Sequence, residues 1–221
     1  MSVTPESVQQ LLDSEDFGDR ARGMIQLRQL EPKVAFEMLK PLVKDRNPRV
    51  RYAAVSQLDT IGKQDLATSL ELLRDRLLND AEVDVKAAAA DAIGGLKLTE
   101  AFEDLQQLYR QTSEWLIEFS IIATLGELGD PRGFELLKEA LASETGLVKM
   151  AAISSLGELG DPRAISLLIP LASDPDWQVR YRLVQALDRL GGPQAHSTLE
   201  KLANDQMEQV AQEAKKSLAS E

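Results

Sequence analysis

The sequence contains no cysteine and a single histidine, His196. The lack of cysteine excludes disulfides, thiolate nucleophiles, Cys-ligated zinc and any prosthetic group held on this chain through a thioether. One histidine is too few for a multi-His metal site and argues against Ser–His hydrolase chemistry. We therefore expect no metal and no covalently bound cofactor.

Aromatic residues and long apolar runs are also scarce. Aromatics make up 5% of the chain and apolar residues 43%, so Ala and Leu carry most of the hydrophobicity, which favours closely packed helices. No stretch reaches the roughly 18 apolar residues of a membrane span. The first residues, MSVTPESVQQ, lack the basic and apolar regions of a signal peptide. The sequence thus predicts a cytoplasmic protein without a membrane span.

Basic residues are also fewer than acidic ones. Lys and Arg number 25 against 36 Asp and Glu, which gives a net charge of −11. Such a field repels a phosphate backbone, and Lys and Arg are not clustered in a way that would release counterions. Nucleic acid is therefore not expected as a partner.

The chain repeats itself. The string LGELGDPR occurs at 125–132 and again at 156–163, and related strings recur at intervals of 31 to 35 residues. These strings are DRARGMIQLRQL from Asp19, VRYAAVSQLDTIG from Val50, VKAAAADAIGGL from Val85, IEFSIIATLGEL from Ile117, VKMAAISSLGEL from Val148, VRYRLVQALDRL from Val179 and VAQEAKKSL from Val210. Seven repeats follow, each with apolar residues at the three- and four-residue intervals of two helices.

The duplicated string marks the joint between repeats. Gly129 can adopt the left-handed conformation that ends a helix, Asp130 can cap the next helix, and Pro131 fits its first turn. The same three residue types recur at 160–162. We therefore interpret the duplication as structural rather than catalytic.

An acidic residue precedes a basic one by six positions in three repeats: Asp45 and Arg51, Asp80 and Lys86, Asp174 and Arg180. This pattern resembles HEAT repeats, in which an Asp and an Arg at this place form a ladder of hydrogen bonds between neighbours. We expect interruptions in the fourth repeat, which has Thr112 and Glu118, and in the seventh, which has Asp205 and Ala211.

The predicted fold is an all-α solenoid, a superhelix of about seven short HEAT-like helix pairs. We expect one repeat domain over 1–221, with approximate repeats at 4–30, 32–61, 64–96, 99–128, 131–159, 162–190 and 193–218.

The second helices carry large side chains on the face that should be open. Counted from the Val or Ile that opens each copy, positions −2 and +2 face away from the core positions. These positions hold Tyr52, Trp115, Phe119, Met150, Trp177 and Tyr181, and nearby polar residues are Asp91, Arg180, Arg182 and Asp188. An exposed apolar face with aromatic anchors indicates a binding surface. The alternatives are aromatic side chains that fill gaps between repeats, polar groups that are ordinary surface, and a ladder role for Arg180.

Several longer strings are similar to the HEAT-repeat phycobilin lyases of the E/F type from cyanobacteria, and most of all to a branch linked to phycobilisome degradation. They are SVTPESVQQLL, QLRQLEP, VRYAAVSQLDTIG, LTEAFEDLQQLYRQTSEWLIEFSIIATLGELGDPRGFELLKEAL and PDWQVRYRLVQALDRLGGPQA. The resemblance implies binding of phycobiliproteins (phycocyanin or allophycocyanin), together with degradation adaptors, during nutrient starvation. It also implies phycocyanobilin as a transient ligand and detachment of that chromophore.

Four functions stay open at this stage. The first is a bilin-detaching factor, in which aromatic walls suit the flat bilin, Arg180 or Arg182 its propionates, and Asp91 or Asp188 its pyrrole N–H groups. The second is a non-enzymatic adaptor in phycobilisome disassembly, and the third is a scaffold with an unrelated partner. The fourth, a HEAT-type DNA glycosylase, is disfavoured by the acidic charge. Whether the action is catalytic is left open.

Overall fold

A computed structural model describes residues 3–219, which form fourteen α-helices and no strand. The helices are α1 Pro5–Leu12, α2 Phe17–Leu27, α3 Pro32–Leu39, α4 Pro48–Ile61, α5 Leu66–Asn79, α6 Val83–Gly95, α7 Phe102–Gln111, α8 Trp115–Leu128, α9 Phe134–Ala140, α10 Gly146–Leu159, α11 Arg163–Leu168, α12 Trp177–Leu190, α13 Pro193–Leu202 and α14 Glu208–Ala219. They form seven consecutive pairs, which confirms the α-solenoid prediction. The predicted domain also takes in residues 1–2 and 220–221, which lie outside the described residues.

The first helices of some pairs are short for a local reason. In the second and sixth pairs, α3 and α11 pass into 3₁₀ turns at Lys40–Lys44 and Ile169–Ser173. Each turn has a proline at its second position, which lacks the N–H needed to continue an α-helix. The proline therefore limits the length of the helix before it.

The helices group into two compact units, one up to Ser120 and one from Ile121 onward. In the N-terminal unit α4 packs along α6, and α5 also packs against α6. In the C-terminal unit α10 packs along α12, and α12 packs along α14. Within each unit, second helices of successive pairs thus lie side by side. The single domain over 1–221 stays a prediction.

The joints have the predicted geometry. Gly129 and Gly160 have φ of +67° and +71°, the left-handed region that favours glycine. The Asp130 carboxylate accepts the N–H of Arg132 at 2.9 Å, and Asp161 forms the same 2.9 Å bond in the next joint. The duplicated letters therefore build the same turn twice, as the sequence predicts.

The inner glycine of each LGELG string has a separate role that the sequence did not reveal. A Cβ at Gly126 would lie 2.5 Å from the Cβ of Ser155, and one at Gly157 would lie 2.8 Å from the Cα of Ala186. Ser155 also donates its hydroxyl to the carbonyl of Ile122 at 2.9 Å. These glycines let the next second helix approach within backbone contact.

Candidate functional site

The ladder of charged side chains is present. The Arg51 guanidinium donates from Nε and Nη2 to the two carboxylate oxygens of Asp80, at 2.8 and 2.9 Å. Its Nη1 donates to the carbonyl of Asp45 at 3.0 Å. One arginine therefore joins the Asp of its own repeat to the Asp of the next, which a planar fork does well.

Arg180 makes the same contacts in the C-terminal unit. It donates to both oxygens of Asp205, at 2.7 and 2.9 Å, and to the carbonyl of Asp174 at 2.7 Å. The hydrogen bond from Arg180 lowers the pKa of Asp205, and the same bond raises the pKa of Arg180. Arg180 is buried, so it lies in the ladder and does not face a ligand pocket.

Two further rungs belong to this pattern: Arg20 Nε lies 3.7 Å from the Asp45 carboxylate, and Lys149 Nζ lies 2.6 Å from the Asp174 carboxylate. The expected interruption in the fourth repeat is confirmed, because Thr112 supplies no carboxylate. The expected interruption in the seventh repeat is wrong on one side, because Asp205 accepts from Arg180. The seventh repeat lacks the ladder cation, because Ala211 stands at the position that Arg or Lys occupies in other repeats.

Four predicted site residues meet in one concave pocket of about 700 Å³, which we call the C-terminal pocket. It is lined by Leu147 and Met150 of α10, Trp177, Gln178, Tyr181 and Arg182 of α12, and Gln209, Gln212, Glu213 and Lys216 of α14. The three second helices of the C-terminal unit therefore each contribute one part of its wall.

The chemistry of the C-terminal pocket is aromatic with a cationic edge. Trp177, Tyr181 and Met150 are half-buried, so each still presents surface to a ligand. The exposed Arg182 and Lys216 outnumber the single carboxylate, Glu213. Aromatic faces beside cations suit a flat conjugated molecule or a protein surface that carries negative groups.

A second pocket of about 470 Å³, the N-terminal pocket, collects two more predicted residues, Tyr52 and Asp91. It is lined by Pro48, Arg49, Tyr52, Glu82, Asp84, Val85, Ala87, Ala88, Asp91, Leu116 and Ser120. Three carboxylates against one arginine make it acidic, over a floor of small apolar side chains. It occupies the same face of the second helices as the C-terminal pocket but has the opposite charge.

The remaining predicted residues lie outside both linings. Trp115 is exposed and Phe119 half-buried on α8, and Asp188 is exposed on α12. With Arg180 in the ladder, the predicted set is therefore divided among two pockets, the ladder and open surface.

The contribution of α14 to the C-terminal pocket was not predicted. Gln212 and Lys216 occupy positions +2 and +6 of the last repeat, on the same helix face as the predicted aromatics, and Gln209 at −1 lies beside that face. These residues are polar, so they do not carry the apolar pattern that marks the other outward positions. Their register, rather than their residue type, was the available signal.

Among residues 3–219 no group of three or more His, Asp or Glu side chains could hold a metal ion. None of the helices in that range is both long enough and apolar enough to span a bilayer.

Known structures share this architecture. The complex of CpcE and CpcF of phycocyanin lyase from Nostoc sp. PCC7120 aligns with a TM-score of 0.66 at 20% identity, over 100% of this chain and 95% of that one. An archaeal HEAT-like repeats protein from Thermococcus onnurineus NA1 gives 0.62 at 14% identity, over 99% and 97%. An engineered protein gives 0.59 at 19% identity, over 97% and 67%. At these identities the likeness shows the fold.

No curated protein sequence matched the chain. The model for HEAT repeats matches residues 4–77, 70–156 and 136–219, which together span almost the whole sequence. These matches agree with the seven helix pairs and with the Asp–Arg ladder, and the chain belongs to the HEAT-repeat family.

Proposed function

We propose that this protein binds phycobiliproteins and promotes detachment of their bilin during phycobilisome degradation, as a phycobilisome degradation protein of the B type. The strings that resemble the degradation branch support this proposal. The likeness to the CpcE–CpcF complex of phycocyanin lyase is consistent with it, through the fold.

The observation that carries the proposal is the C-terminal pocket. Trp177, Tyr181 and Met150 offer apolar and aromatic surface to a conjugated chromophore, and about 700 Å³ accommodates a large part of one. Arg182 offers a cation to a propionate group, and Lys216, which lies 3.9 Å from Glu213, adds positive charge to the same edge. The pocket therefore matches both the apolar middle and the charged edge of a bilin.

Detachment requires that the thioether between bilin and partner is broken. When the C–S bond breaks by elimination, a proton leaves the neighbouring carbon and the sulfur ends as a thiol, so no oxidant or reductant is consumed. In this proposal Trp177 and Tyr181 hold the bilin away from its position in the partner, and Arg182 fixes its edge. In this proposal the protein promotes cleavage of the thioether by positioning and straining the bilin, and no side chain acts as a nucleophile.

A second candidate is a non-enzymatic adaptor that presents phycobiliprotein to the degradation apparatus. The C-terminal pocket contains no Ser, Thr, Cys or His in its lining, which favours binding without chemistry. The adaptor would use the same aromatic surface as an anchor for the partner protein.

The test is to mix purified protein with intact phycocyanin, without protease, and to follow visible absorption and bilin fluorescence over time. Loss of the phycocyanin bands, with bilin appearing free or on this chain, supports detachment. Unchanged spectra with co-elution on a sizing column support the adaptor. Unchanged spectra without co-elution would refute both functions.

A further inference from the structure

Asp80 and Asp205 of the ladder each make two kinds of hydrogen bond, one within a turn and one to the arginine of the preceding repeat. In Asp80, Oδ1 accepts the N–H of Glu82 at 3.0 Å, which shapes the turn before α6. The same carboxylate also accepts the Arg51 guanidinium of the preceding repeat. Asp205 does both in the same way, with the N–H of Met207 at 2.8 Å. The turn needs one acceptor oxygen, whereas the rung needs a negative charge.

Two repeats keep the turn but lose the charge. The Thr112 hydroxyl accepts the N–H of Glu114 at 3.1 Å, and the Ser143 hydroxyl accepts the N–H of Thr145 at 3.2 Å. The residue that would pair with position 143 is Glu118, at the cation position of the preceding repeat. That rung therefore lacks both its carboxylate and its cation. Opposite Thr112 the cation remains, as Lys86.

Lys86 is thus a ladder cation without a ladder carboxylate. Its Nζ donates to the carbonyl of Leu78 at 3.1 Å and forms no ion pair with any residue in 3–219. By contrast, Lys149 at the equivalent position binds Asp174 at 2.6 Å. A lysine ammonium group has three N–H donors, and the bond to Leu78 uses one of them, so the others remain available to a ligand.

A cavity of about 550 Å³ lies where the missing carboxylate would be. Lys86 and Thr112 line it together with the amides of Asn79, Gln107 and Gln111, and with Glu114. Asp80 also borders the cavity, but Arg51 and Arg76 hold its carboxylate at 2.8 Å each, so it cannot serve Lys86 as well. The cavity is therefore polar, contains one available cation, and is large enough for a side chain.

We propose that this cavity binds an acidic side chain of a partner protein, whose carboxylate takes the place that Asp occupies in the filled rungs. A single negative charge matches the single ammonium group. The carboxylates of Glu114 and Asp80 repel any anion in the cavity, and the repulsion is about twice as large for a doubly charged inorganic anion as for a single carboxylate. This docking point goes beyond the proposed function and does not depend on the C-terminal pocket.

The test uses protein with ¹⁵N-labelled lysine side chains and N-acetyl-aspartate N-methylamide, which carries one carboxylate, as the probe. At constant ionic strength, the Lys86 Nζ resonance should shift and saturate. Lys149, already held by Asp174, is the internal control and should stay in place. In Thr112→Asp the new carboxylate should fill the cavity, and the Lys86 response to the probe should disappear.

Three outcomes of this titration would overturn the proposal. One is no response at Lys86, or a response no larger than at the exposed Lys33 and Lys215. Another is a Lys86 response that persists in Thr112→Asp. The third is a stronger response to orthophosphate than to the aspartate probe, which would indicate an inorganic anion site.

A stability measurement tests whether the geometry of the empty rung is correct. Thr112→Asp should raise Tm by about 2 °C, because it restores a partly buried ion pair. Lys86→Met in the Thr112→Asp background should remove that gain, while circular dichroism stays unchanged. A Thr112→Asp variant with unchanged or lower Tm would mean that Lys86 does not reach a carboxylate there, which would refute the proposal.

Discussion

Gly157 is one of the residues at which the packing leaves no room for a side chain. A methyl group there would meet the Cα of Ala186 at 2.8 Å, so a backbone, not a flexible side chain, would have to move. We expect Gly157→Ala to lower the free energy of unfolding by about 1–3 kcal/mol, the usual cost of overpacking. Urea denaturation followed by circular dichroism measures this.

The matched control is Gly146→Ala. Gly146 is also in α10, but a Cβ there would have nothing within 4 Å. Alanine should leave stability unchanged or raise it slightly, because it prefers the helix. If both variants lost the same free energy, close approach at Gly157 would not be the cause.

Asp205 makes stability depend on pH. Its pKa is lowered in the folded protein, first by the hydrogen bond from Arg180. The stabilisation is therefore fully present above the unfolded pKa of about 3.9 and is lost as pH falls through the lower folded value. Asp205→Asn should cost about 3 kcal/mol at pH 7, because it leaves the buried Arg180 charge unpaired.

The measurement is the urea midpoint of wild type and Asp205→Asn as a function of pH. The difference between them should shrink as pH falls below the unfolded pKa, since wild type then loses the same charge. Asp188→Asn, an equal charge change at an exposed residue of α12, should have little effect on the urea midpoint at high or at low pH. A pH-independent difference for Asp205→Asn would contradict this account.

Single residues were predictable where their role is local. Gly129 and Asp130 could be assigned from the sequence because a left-handed φ and an N-cap depend on the residue and its immediate neighbours. Gly157 could not, because its role depends on Ala186, which approaches only after the helices pack. Arg180 and Arg182 were both offered as ligand residues, and only the positions of Asp174 and Asp205 separate their roles.

At the scale of the helix, α12 provides the centre of the C-terminal pocket. Trp177→Ala with Tyr181→Ala should weaken phycocyanin binding by about tenfold or more, because aromatic anchors carry much of the energy of such surfaces. Helical content should remain, since both side chains are only half-buried. Titration with phycocyanin and circular dichroism check the two parts.

Trp115→Ala is the control for the loss of an aromatic ring. Like Trp177, Trp115 is the first residue of a second helix, but it lies outside the pocket lining and is 48% exposed. Its replacement should leave binding close to wild type. If Trp115→Ala weakened binding as strongly as the pocket variant, the partner would use the α8 surface, and the assignment to the C-terminal pocket would be wrong.

Helix faces follow from sequence better than pockets do. The 3.6-residue period gave the outward positions of α4, α10 and α12, and side chains at those positions do reach the two pockets. To predict a pocket from sequence, one must also know which neighbouring helix forms the rest of its wall. The polar wall from α14 and the alanine floor at Ala87 and Ala88 carried no compositional signal of a binding site.

At the scale of the whole molecule, the ladder lacks its carboxylate in two successive repeats, at Thr112 and Ser143, one on each side of the boundary between the compact units in the sequence. Rungs are present in both units, whereas the fourth and fifth repeats have Thr112 and Ser143 in place of Asp. In repeat proteins, stability is approximately a sum of repeat and neighbour terms, so a weak neighbour term divides cooperative unfolding. The sequence predicted the gap at Thr112, but the division itself depends on all contacts together.

We therefore expect unfolding in two groups of helices. Native-state hydrogen exchange in low urea, read by mass spectrometry, should show α1–α7 and α9–α14 opening with different free energies. Thr112→Asp should raise the opening free energy of the first group only, because the restored rung joins residues 86 and 112 within the N-terminal unit. One common opening free energy for all helices of wild type would contradict this expectation.

The identical joints at 125–132 and 156–163 give the chain a natural site for excision. Removing residues 126–156 leaves one LGELGDPR string, with every letter and every turn unchanged. In the shortened chain, the helix that begins at Trp115 continues from Leu125 directly into Gly157. Gly157 can keep its close approach to Ala186 in the next second helix. A chain shortened by one helix pair therefore needs no new joint, and the length of such a solenoid can change in steps of one repeat.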